Sequence, residues 1–431
     1  MSGATLGILV FALFFIFMFL KMPVALSMGL SGFIGLLIKL GLTATLEVVG
    51  KEFHSQFMSY TLSVVPMFVF MGFLCYHAGI GSGLFNFFNK LVGHKKGGLL
   101  YASTFANAVF GAICGSPTAA GATMGSICYP EMKKYGYDTT LSTASIASGG
   151  ILSVLIPPSM AFIMFGILTE ESIGGLFMSG IFPGILLMLC FCVAIWVVLK
   201  RKPELAPAGP KSTFKETVKA AIKTIDVIII FVVCLGGLFI GWFTPTEAGA
   251  VGSLAVCIVS LVKRTLTWKV FVRAVKDTAK TTAMVLFLTF GAQILSRLIT
   301  VTGLASILAS TLGGLAVPPI FILILVVIII YILGFFIEAL ALTLIVIPVF
   351  YPLVVTTLGF DPYFFAALFV LTSSAGMITP PVGLLCYVVS GVCKTPVGKV
   401  FKGVWPFLIA TVVATVLLIA FPQLASFLPN L

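Results

Sequence analysis

The sequence LSVLIPPSMAF, from Leu152 to Phe162, places two adjacent prolines inside an almost unbroken apolar stretch that runs from Leu141 to Leu168. A stretch of that length is typical of one membrane-spanning helix. Pro157 and Pro158 break this helix near its centre, because each proline removes an amide donor and crowds the preceding turn. Lipid offers no hydrogen-bond partner, so the freed backbone groups need protein, ions or a water-filled cavity around them. The break is therefore a candidate binding site.

The composition of the chain predicts that most of it lies in lipid. Of the 431 residues, 60% are hydrophobic and 9% are charged, which is typical of a polytopic membrane protein. Apolar stretches predict ten spans, near residues 4–20, 22–40, 60–80, 141–168, 176–199, 225–243, 246–262, 283–301, 363–392 and 404–428. Lys21 follows the first span where a signal peptide would have a small-residue cleavage motif, so we expect that span to be retained.

Basic residues indicate which loops are cytoplasmic. Five segments concentrate Lys and Arg, namely 90–96, 133–134, 200–223, 263–280 and 394–402, whereas the loops at 170–171 and 244–247 have none. Two further apolar stretches begin and end on one side, and they predict re-entrant hairpins: 97–132 from the cytoplasm and 317–352 from outside. With ten spans, the N- and C-termini would both be periplasmic. The net charge of +12 is explained by this topology, so we expect no nucleic-acid partner.

An internal repeat supports this count. YPEMKKYGYD, from Tyr129 to Asp138, and YPLVVTTLGFD, from Tyr351 to Asp361, share Tyr-Pro followed by Gly-aromatic-Asp. Each Asp precedes a proline pair at the same distance, and the same offset of 223 residues carries the first span onto the sixth. Each half then has five spans and one hairpin, and an odd number of spans inverts the second half. The predicted fold is an all-α membrane protein of two inverted-topology repeats with discontinuous helices.

This organisation divides the chain into six units. Residues 1–96 form the first scaffold helices with an interfacial arm at 42–58, 97–168 a hairpin and broken helix, and 169–224 a scaffold helix with a cytoplasmic linker at 200–219. Residues 225–316 form the second scaffold helices with an interfacial arm at 263–281, 317–392 the second hairpin and broken helix, and 393–431 a C-terminal scaffold helix.

The breaks and hairpin tips are rich in small and hydroxyl residues. The breaks carry GGILSVLIPPS from Gly149 and TSSAGMITPPVG from Thr372, and the tips carry GAICGSPTAAGATMG from Gly111 and FFIEALALT from Phe335. Carbonyls at helix C-termini suit Na+, and amides at helix N-termini suit a carboxylate. A cation-coupled carrier of organic anions follows as a hypothesis.

Two charged residues have alternative interpretations. Glu338, the one acid of its hairpin, has a structural or amide-capping role, binds an ion or couples protons. Arg297 reaches the nearby membrane interface, or it pairs with the substrate or with Glu338. The nine cysteines have no CxxC spacing and the three histidines are scattered, so neither a disulfide framework nor a metal centre is predicted.

Four segments together resemble the large membrane (M) subunit of tripartite ATP-independent periplasmic (TRAP) transporters. They are GSPTAAGATMGSICYPEMKKYGYD (115–138), VLIPPSMAFIMFG (154–166), TPTEAGAVGSL (244–254) and ITPPVGLLCYV (378–388). The resemblance covers nearly the whole chain. It implies Na+-coupled uptake of an organic acid, such as a C4-dicarboxylate, keto acid or sialic acid, by an elevator mechanism in the bacterial inner membrane. It also implies a soluble periplasmic binding protein and a small four-helix membrane subunit, which we expect to be a separate chain.

The resemblance further implies two Na+ sites, with the substrate between the hairpin tips. The first Na+ site would comprise Ser116, Pro117, Thr118, Gly150, Ser153, Leu155 and Pro157. The second would comprise Glu338, Ala341, Thr343, Gly376, Ile378 and Thr379. The substrate would contact Ser116, Thr118, Pro158, Ser159, Arg297 and Pro381. The chain departs from the family in the Ser-Pro-Thr of the first tip and in Glu338, where an aspartate is common. No organic cofactor and no other metal is expected.

Three other functions are weaker interpretations. A stand-alone Na+/dicarboxylate carrier of the same architecture would need no binding protein, but the family-like motifs disfavour it. An intramembrane enzyme would need paired catalytic groups at membrane depth, and the sequence has no Ser/His, paired aspartate or histidine-metal arrangement there. A channel or a structural scaffold does not explain the inverted repeat.

Overall fold

The computed structural model describes residues 3–304, 307, 310, 311 and 317–431. Over that part of the chain the protein is helical and contains no strand, which confirms the predicted all-α class. The remaining residues of the predicted unit 225–316, namely 305, 306, 308, 309 and 312–316, lie outside the described part.

The first half contains a hairpin and a broken helix between scaffold-like helices. It begins with helices at Gly3–Phe19, Val24–Leu40 and Leu42–Phe57, a 3₁₀ turn at Tyr60–Ser63, and helices at Val64–His77 and Gly81–Val92. The first hairpin comprises Gly98–Cys114 and Pro117–Lys134, and the first broken helix comprises Thr139–Leu155 and Met160–Thr169. Helix Ile173–Arg201 and a 3₁₀ turn at Pro203–Leu205 complete this half.

The second half has a similar order of elements. It begins with helices at Phe214–Ile222 and Ile225–Phe231, the latter continuing through a π-turn at Val232–Gly236 into Gly237–Phe239, followed by Pro245–Val262 and Trp268–Thr302. The second hairpin comprises Pro319–Gly334 and Ala339–Tyr351, with a π-turn at Pro352–Thr357, and the second broken helix comprises Pro362–Gly376 and Leu384–Cys393. Helices at Val397–Gly403, Trp405–Ala420 and Gln423–Ser426 follow.

The two broken helices begin in the same way. Asp138 and Asp361 are their N-caps, each with φ −61° and ψ 132°, and each accepts the backbone amide of the residue three positions later at 2.8 Å. Aspartate at this position satisfies one of the unpaired amides of the first turn. Both proline pairs, 157–158 and 380–381, are joined by cis peptide bonds. The matched caps support the predicted repeat, and the inversion of the second half stays a prediction.

The number of membrane crossings also stays a prediction. Six helices of the described residues are long and apolar enough to span a membrane, or eight if each of two bent pairs is counted as one span. The six are Tyr60–His77, Thr139–Thr169, Ile173–Arg201, Pro245–Val262, Trp268–Thr302 and Ala339–Thr357. Each of the ten predicted spans coincides with one of the observed helices or a consecutive pair of them, and shorter apolar helices account for the rest of the predicted count.

The most deeply buried elements are the first segments of the two broken helices. Every residue from Leu141 to Leu155 and from Phe364 to Gly376 is buried. Close packing there depends on small residues, because a methyl group at Gly111 would lie 2.5 Å from Cβ of Ser153. In the second half, a methyl group at Gly376 would overlap the backbone of Gly334. Each hairpin is thus pressed against the broken helix of its own half.

Two helices predicted for the scaffold pack next to the hairpins and broken helices, and their assignment to the scaffold stays a prediction. Gly184 of helix Ile173–Arg201 lies against Ile156, to which a methyl group at Gly184 would approach within 2.5 Å. Helix Trp405–Ala420 packs on the same helix through Phe191 and Phe407, whose ring centroids are 5.5 Å apart. Both helices are therefore neighbours of the hairpins and broken helices.

Four other long helices pack on one another in pairs. Val24–Leu40 lies against Trp268–Thr302, where a methyl group at Gly32 would be 2.8 Å from the amide nitrogen of Leu295. Val64–His77 lies against Pro245–Val262, and Ser253 donates a hydrogen bond to the carbonyl oxygen of Met67 at 2.9 Å. Glycine and serine allow these backbones to approach closely, as is common between membrane helices.

The linker between the halves is bound to the first half by its backbone. The amides of Gly97 and Asp138 donate to the carbonyl oxygens of Ala206 and Leu205 at 3.0 and 2.8 Å, and the amide of Gly209 donates to Gly93 at 3.0 Å. Ala206 is fully buried. The polar linker predicted from composition is thus folded onto the start of the first hairpin and the cap of the first broken helix.

The two segments predicted as interfacial arms are both helical, and their position at the membrane interface stays a prediction. Residues 42–58 form a helix of their own, Leu42–Phe57, but most of 263–281 is the first part of one 35-residue helix, Trp268–Thr302. No glycine or proline interrupts that helix before Gly291, so nothing separates the predicted arm from the span. Two short helices, Gly81–Val92 and Phe214–Ile222, were not predicted.

We expect Gly376→Ala to destabilise the protein, because the added methyl group would overlap the backbone of Gly334. Overpacking of this kind costs about 1–3 kcal/mol. The matched control is Gly391→Ala in helix Leu384–Cys393, where an added methyl group meets no atom within 4 Å, and alanine should be neutral or stabilising by up to about 1 kcal/mol. Thermal unfolding in detergent checks both variants; equal midpoints would contradict the close contact.

Candidate binding site at the hairpin tips

A cavity of about 340 Å³ lies where the two hairpin tips and the two breaks meet. The hairpins contribute Cys114, Gly115, Ser116, Pro117, Thr118, Glu338, Ala339 and Leu340. The broken helices contribute Val154, Pro158, Ser159, Met160, Ala161, Ile163, Met377 and Leu384. The remaining wall comes from two other helices, through Phe68, Val69, Phe73, Thr281, Met284 and Val285. Elements from both halves of the chain therefore form one site.

The first tip turns through a left-handed glycine. Gly115 has φ +60°, and a side chain there would be strained and would also lie 3.0 Å from the carbonyl oxygen of Pro158. Ser116 then caps the second arm, since its Oγ accepts the amide of Ala119 at 3.3 Å and lies 3.1 Å from Oγ1 of Thr118. Pro117 occupies the first helical position. A backbone amide at that position has no hydrogen-bond partner within the helix, so proline loses no bond there.

The first tip is in close contact with the first break. Ser153 donates its hydroxyl hydrogen to the carbonyl oxygen of Gly150 at 2.7 Å. A methyl group at Gly150 would lie 3.3 Å from the carbonyl oxygen of Pro117. Leu155 differs from its predicted partners, because its carbonyl oxygen lies against Gly180 of the neighbouring helix Ile173–Arg201. The structure thus brings most of the first predicted set together, and Pro157 is buried directly after it.

The second tip and break form a similar contact. Thr343 donates to the carbonyl oxygen of Ala339 at 2.8 Å, and Thr379 donates to that of Ala375 at 2.7 Å. Ala341 is buried one turn into the second arm. The carbonyl oxygen of Ile378 lies 3.5 Å from the Cys386 thiol, which donates to it. These hydrogen bonds lie within the second arm, within the broken helix and across the break, and the contact of Gly376 with Gly334 joins the hairpin to the broken helix.

Glu338 and Arg297 occupy separate places. Glu338 is exposed and lines the cavity as the N-cap of Ala339–Tyr351, without a side-chain capping bond. Within the described part of the chain, no cation forms an ion pair with it. Arg297 instead donates from Nε to Oε1 of Glu52 at 3.0 Å. It lies twelve residues beyond Val285 on the same helix, or about 18 Å at 1.5 Å per residue, and so the structure does not bring it to the cavity.

Two further positions complete the comparison with the predicted substrate residues. Pro158 and Ser159 line the cavity, whereas Pro381 does not. Ser159 is 1% exposed, and its Oγ has no hydrogen-bond partner among the described residues. A buried hydroxyl without a partner is costly, so this atom is available to a ligand or an ordered water. No sequence signal marks the wall at Phe68 and Met284, because neither residue belongs to a motif.

The helix ends around the cavity are arranged by polarity. Four helices begin at its lining, at Pro117, Met160, Ala339 and Leu384, and the N-terminus of a helix carries a partial positive charge. No Lys, Arg or His of the described residues lines the cavity. The positive potential available to a bound group therefore comes from backbone amides.

The helix C-termini meet in pairs beside the cavity. In the first half, the helices ending at Cys114 and Leu155 contact through Gly111 and Ser153. In the second half, those ending at Gly334 and Gly376 contact at their last residues. Two partial negative ends with unpaired carbonyls stand side by side in each half, an arrangement that favours a cation between them.

Comparisons with known proteins agree on one family. A family model described as tripartite ATP-independent periplasmic transporter, DctM component, matches residues 11–424. The C4-dicarboxylate TRAP transporter large permease protein DctM of Pseudomonas aeruginosa is 33% identical over 405 residues, covering 94% of each chain. The sialic acid TRAP transporter large permease protein SiaM of Vibrio cholerae is 32% identical over 420 residues, covering 96% of each.

A third relative and one solved structure extend the comparison. The 2,3-diketo-L-gulonate TRAP transporter large permease protein YiaN of Escherichia coli is 33% identical over 367 residues, covering 85% of this chain and 86% of its own. The crystal structure of the YdaH transporter of Alcanivorax borkumensis has a TM-score of 0.61 and 17% sequence identity, and the match covers 89% of each chain. At that identity the likeness concerns the fold alone.

We expect Ser159→Ala to leave the thermal stability of the ligand-free protein unchanged or slightly raised. The substitution removes a buried hydroxyl that has no partner, whereas loss of a made hydrogen bond typically costs about 1 kcal/mol. Ser148→Ala is the matched control, because Ser148 is equally buried and unpaired but lies outside the cavity lining. Thermal unfolding in detergent checks both; a clear loss for Ser159→Ala alone would mean that this hydroxyl already has a structural partner.

Proposed function

The chain belongs to the DctM component family of tripartite ATP-independent periplasmic transporters, and we propose that it carries an organic acid anion into the cell together with Na+. The anion binds in the cavity between the hairpin tips. Curated relatives are named for C4-dicarboxylates, sialic acid and 2,3-diketo-L-gulonate. All three substrates are organic acids, so a carboxylate is the shared chemical feature that the site recognises.

The convergence of four helix N-termini on one cavity is the observation that carries this proposal. Backbone amides at Pro117–Lys134, Met160–Thr169, Ala339–Tyr351 and Leu384–Cys393 offer hydrogen-bond donors and a positive field to a carboxylate. The hydroxyls of Ser116, Thr118 and Ser159 add neutral polar groups. Such a site binds an anion without a basic side chain, and most of the lining is apolar enough to exclude water from it.

Na+ compensates the charge of this anion and that of Glu338. With no basic side chain among the described lining residues, an anion beside a carboxylate needs cations nearby. The paired helix C-termini supply carbonyl oxygens in each half, and Ser153 and Thr379 retain free lone pairs because each donates its own hydrogen within its helix. Oxygen ligands of this kind suit a hard cation such as Na+. Two Na+ sites, one in each half, follow.

Movement of the site across the membrane follows an elevator mechanism in this proposal. The moving unit comprises both hairpins and both broken helices, and we now add helix Ile173–Arg201, which packs beside the first break, and helix Trp405–Ala420, which packs on Ile173–Arg201. The static scaffold comprises the group of Val24–Leu40, Val64–His77, Pro245–Val262 and Trp268–Thr302. Its contact with the first tip is made at Gly72, which lies against the carbonyl oxygen of Cys114. A glycine at that point leaves a smooth surface for sliding.

The chain lies in the bacterial inner membrane and works with two partners. A soluble binding protein delivers the substrate from the periplasm, and a small four-helix membrane subunit completes the permease. The loops with basic clusters lie in the cytoplasm, and ten spans arranged around them put both chain termini in the periplasm.

Uptake into proteoliposomes tests the function directly. Vesicles hold this chain with its small subunit, and the binding protein is supplied outside with labelled organic acids, under an inward Na+ gradient or with K+ alone. We expect accumulation only with Na+ and the binding protein together. Uptake that needs Na+ but no binding protein would instead indicate a stand-alone carrier, and no uptake of any acid would contradict the proposal.

We expect Ser153→Ala and Thr379→Ala to weaken activation by Na+, because each removes one oxygen beside a break. The Na+ concentration for half-maximal uptake should rise about five- to tenfold, the equivalent of one polar contact. Thr411→Ala is the matched control, since Thr411 makes the same kind of bond, to Phe407 at 2.9 Å, in helix Trp405–Ala420 far along the chain from both tips. Unchanged Na+ activation in both variants would leave only backbone carbonyls as ligands.

A further inference from the structure

The short helix Phe214–Ile222 exposes an apolar stripe outside the transport site. Phe214, Val218 and Ile222 are 86%, 39% and 64% exposed, and their spacing of four residues places them along one side of the helix. Thr213 and Glu216 form a capping box that fixes the start of this helix. A well-capped helix with uncovered phenylalanine and isoleucine needs an apolar environment for that side.

Lysines flank the stripe at the same spacing. Lys215, Lys219 and Lys223 are exposed and follow the three apolar residues by one position each, which turns them to the adjacent side of the helix. Between residues 200 and 223 the chain carries seven basic and two acidic residues. The combination of an apolar side and a lysine side is typical of a helix that lies in the surface of a membrane.

The third side of the helix is held by the protein. Ala220 is 5% exposed, and Thr224, directly after the helix, packs on Gly83 of Gly81–Val92. Lys90 of that helix pairs with Glu216 at 3.4 Å. The hydrogen bond from the amide of Thr213 and, to a smaller extent, the contact with Lys90 lower the pKa of the Glu216 carboxyl. The apolar stripe is therefore directed outward by contacts that the chain itself provides.

The stripe continues into the next helix. Phe214–Ile222 and Ile225–Phe239 meet at a bend of 44°. Beyond the bend, the exposed side chains are Ile225, Ile228, Ile229 and Val232, each more than half exposed. In a membrane protein such residues face acyl chains, so the uncovered side of Phe214–Ile222 joins the lipid-facing surface at its edge. That edge is where lipid headgroups lie.

We propose that helix Phe214–Ile222 binds anionic phospholipid in the cytoplasmic leaflet. Lys215, Lys219 and Lys223 contact the phosphate groups, and Phe214, Val218 and Ile222 enter the acyl boundary below them. The helix connects the linker, which is bonded to the first hairpin, with the first spanning helix of the second half. Anionic lipid therefore fixes the joint between the moving unit and the scaffold at a constant depth in the membrane.

Hydrogen exchange of the full-length chain in nanodiscs tests this binding without any assay of transport. The comparison is between phosphatidylcholine alone and equal parts of phosphatidylcholine and phosphatidylglycerol. We expect the amides of 214–222 to exchange about tenfold more slowly with phosphatidylglycerol at low salt, because each lysine near the membrane surface strengthens the binding of the helix to anionic lipid. High NaCl should remove the difference by screening.

Variants separate lipid charge from other causes of protection. Lys215→Gln/Lys219→Gln/Lys223→Gln should abolish the effect of phosphatidylglycerol. The matched control Lys133→Gln/Lys134→Gln/Lys394→Gln removes the same charge at exposed positions elsewhere and should retain it. Equal exchange of the unmodified chain in both lipids, or a difference that resists high salt, would overturn the proposal, and neither result depends on a variant that folds.

Discussion

Backbone groups freed inside an apolar layer are the constraint on which this structure depends. Two proline pairs end helices where lipid cannot replace the lost hydrogen bonds. Protein surrounds both broken helices, and Leu141–Leu155 and Phe364–Gly376 are buried throughout. Glycines at the crossing points, such as Gly111 and Gly376, bring the hairpins close enough to complete that enclosure.

The same constraint separates positive from negative partial charge through the ends of helices, without charged side chains. Each interruption creates one helix end of each polarity, and the N-terminal ends gather at the central cavity while the C-terminal ends pair beside it. An anion and its coupling cations can then occupy neighbouring places without basic side chains. Glu338 is the one acidic or basic side chain among the described lining residues, so the potential at the centre is governed by dipoles whose positions the fold fixes.

Sequence reasoning located the helices and the breaks more reliably than their partners. Proline pairs, N-cap aspartates and apolar length are local signals, and so the broken helices begin and end within a few residues of their predicted positions. Packing partners depend on residues far apart in sequence, which is why the sequence left Arg297 open between the membrane interface and a pair with the substrate or Glu338, and did not indicate its pair with Glu52. Phe68 and Met284 in the cavity wall carry apolar side chains, which no motif distinguishes from lipid-facing ones.

The docked linker has a consequence for how such a chain can be divided. Bonds from Gly97, Asp138 and Gly93 to residues 205–209 belong wholly to the first half, so that half holds its own linker in place. The capping box at Thr213 begins the second half with hydrogen bonds of its own. A gene split between Gly209 and Thr213 would therefore separate two polypeptides without dividing a backbone hydrogen bond of either, and side-chain contacts such as Lys90 with Glu216 would remain to join them.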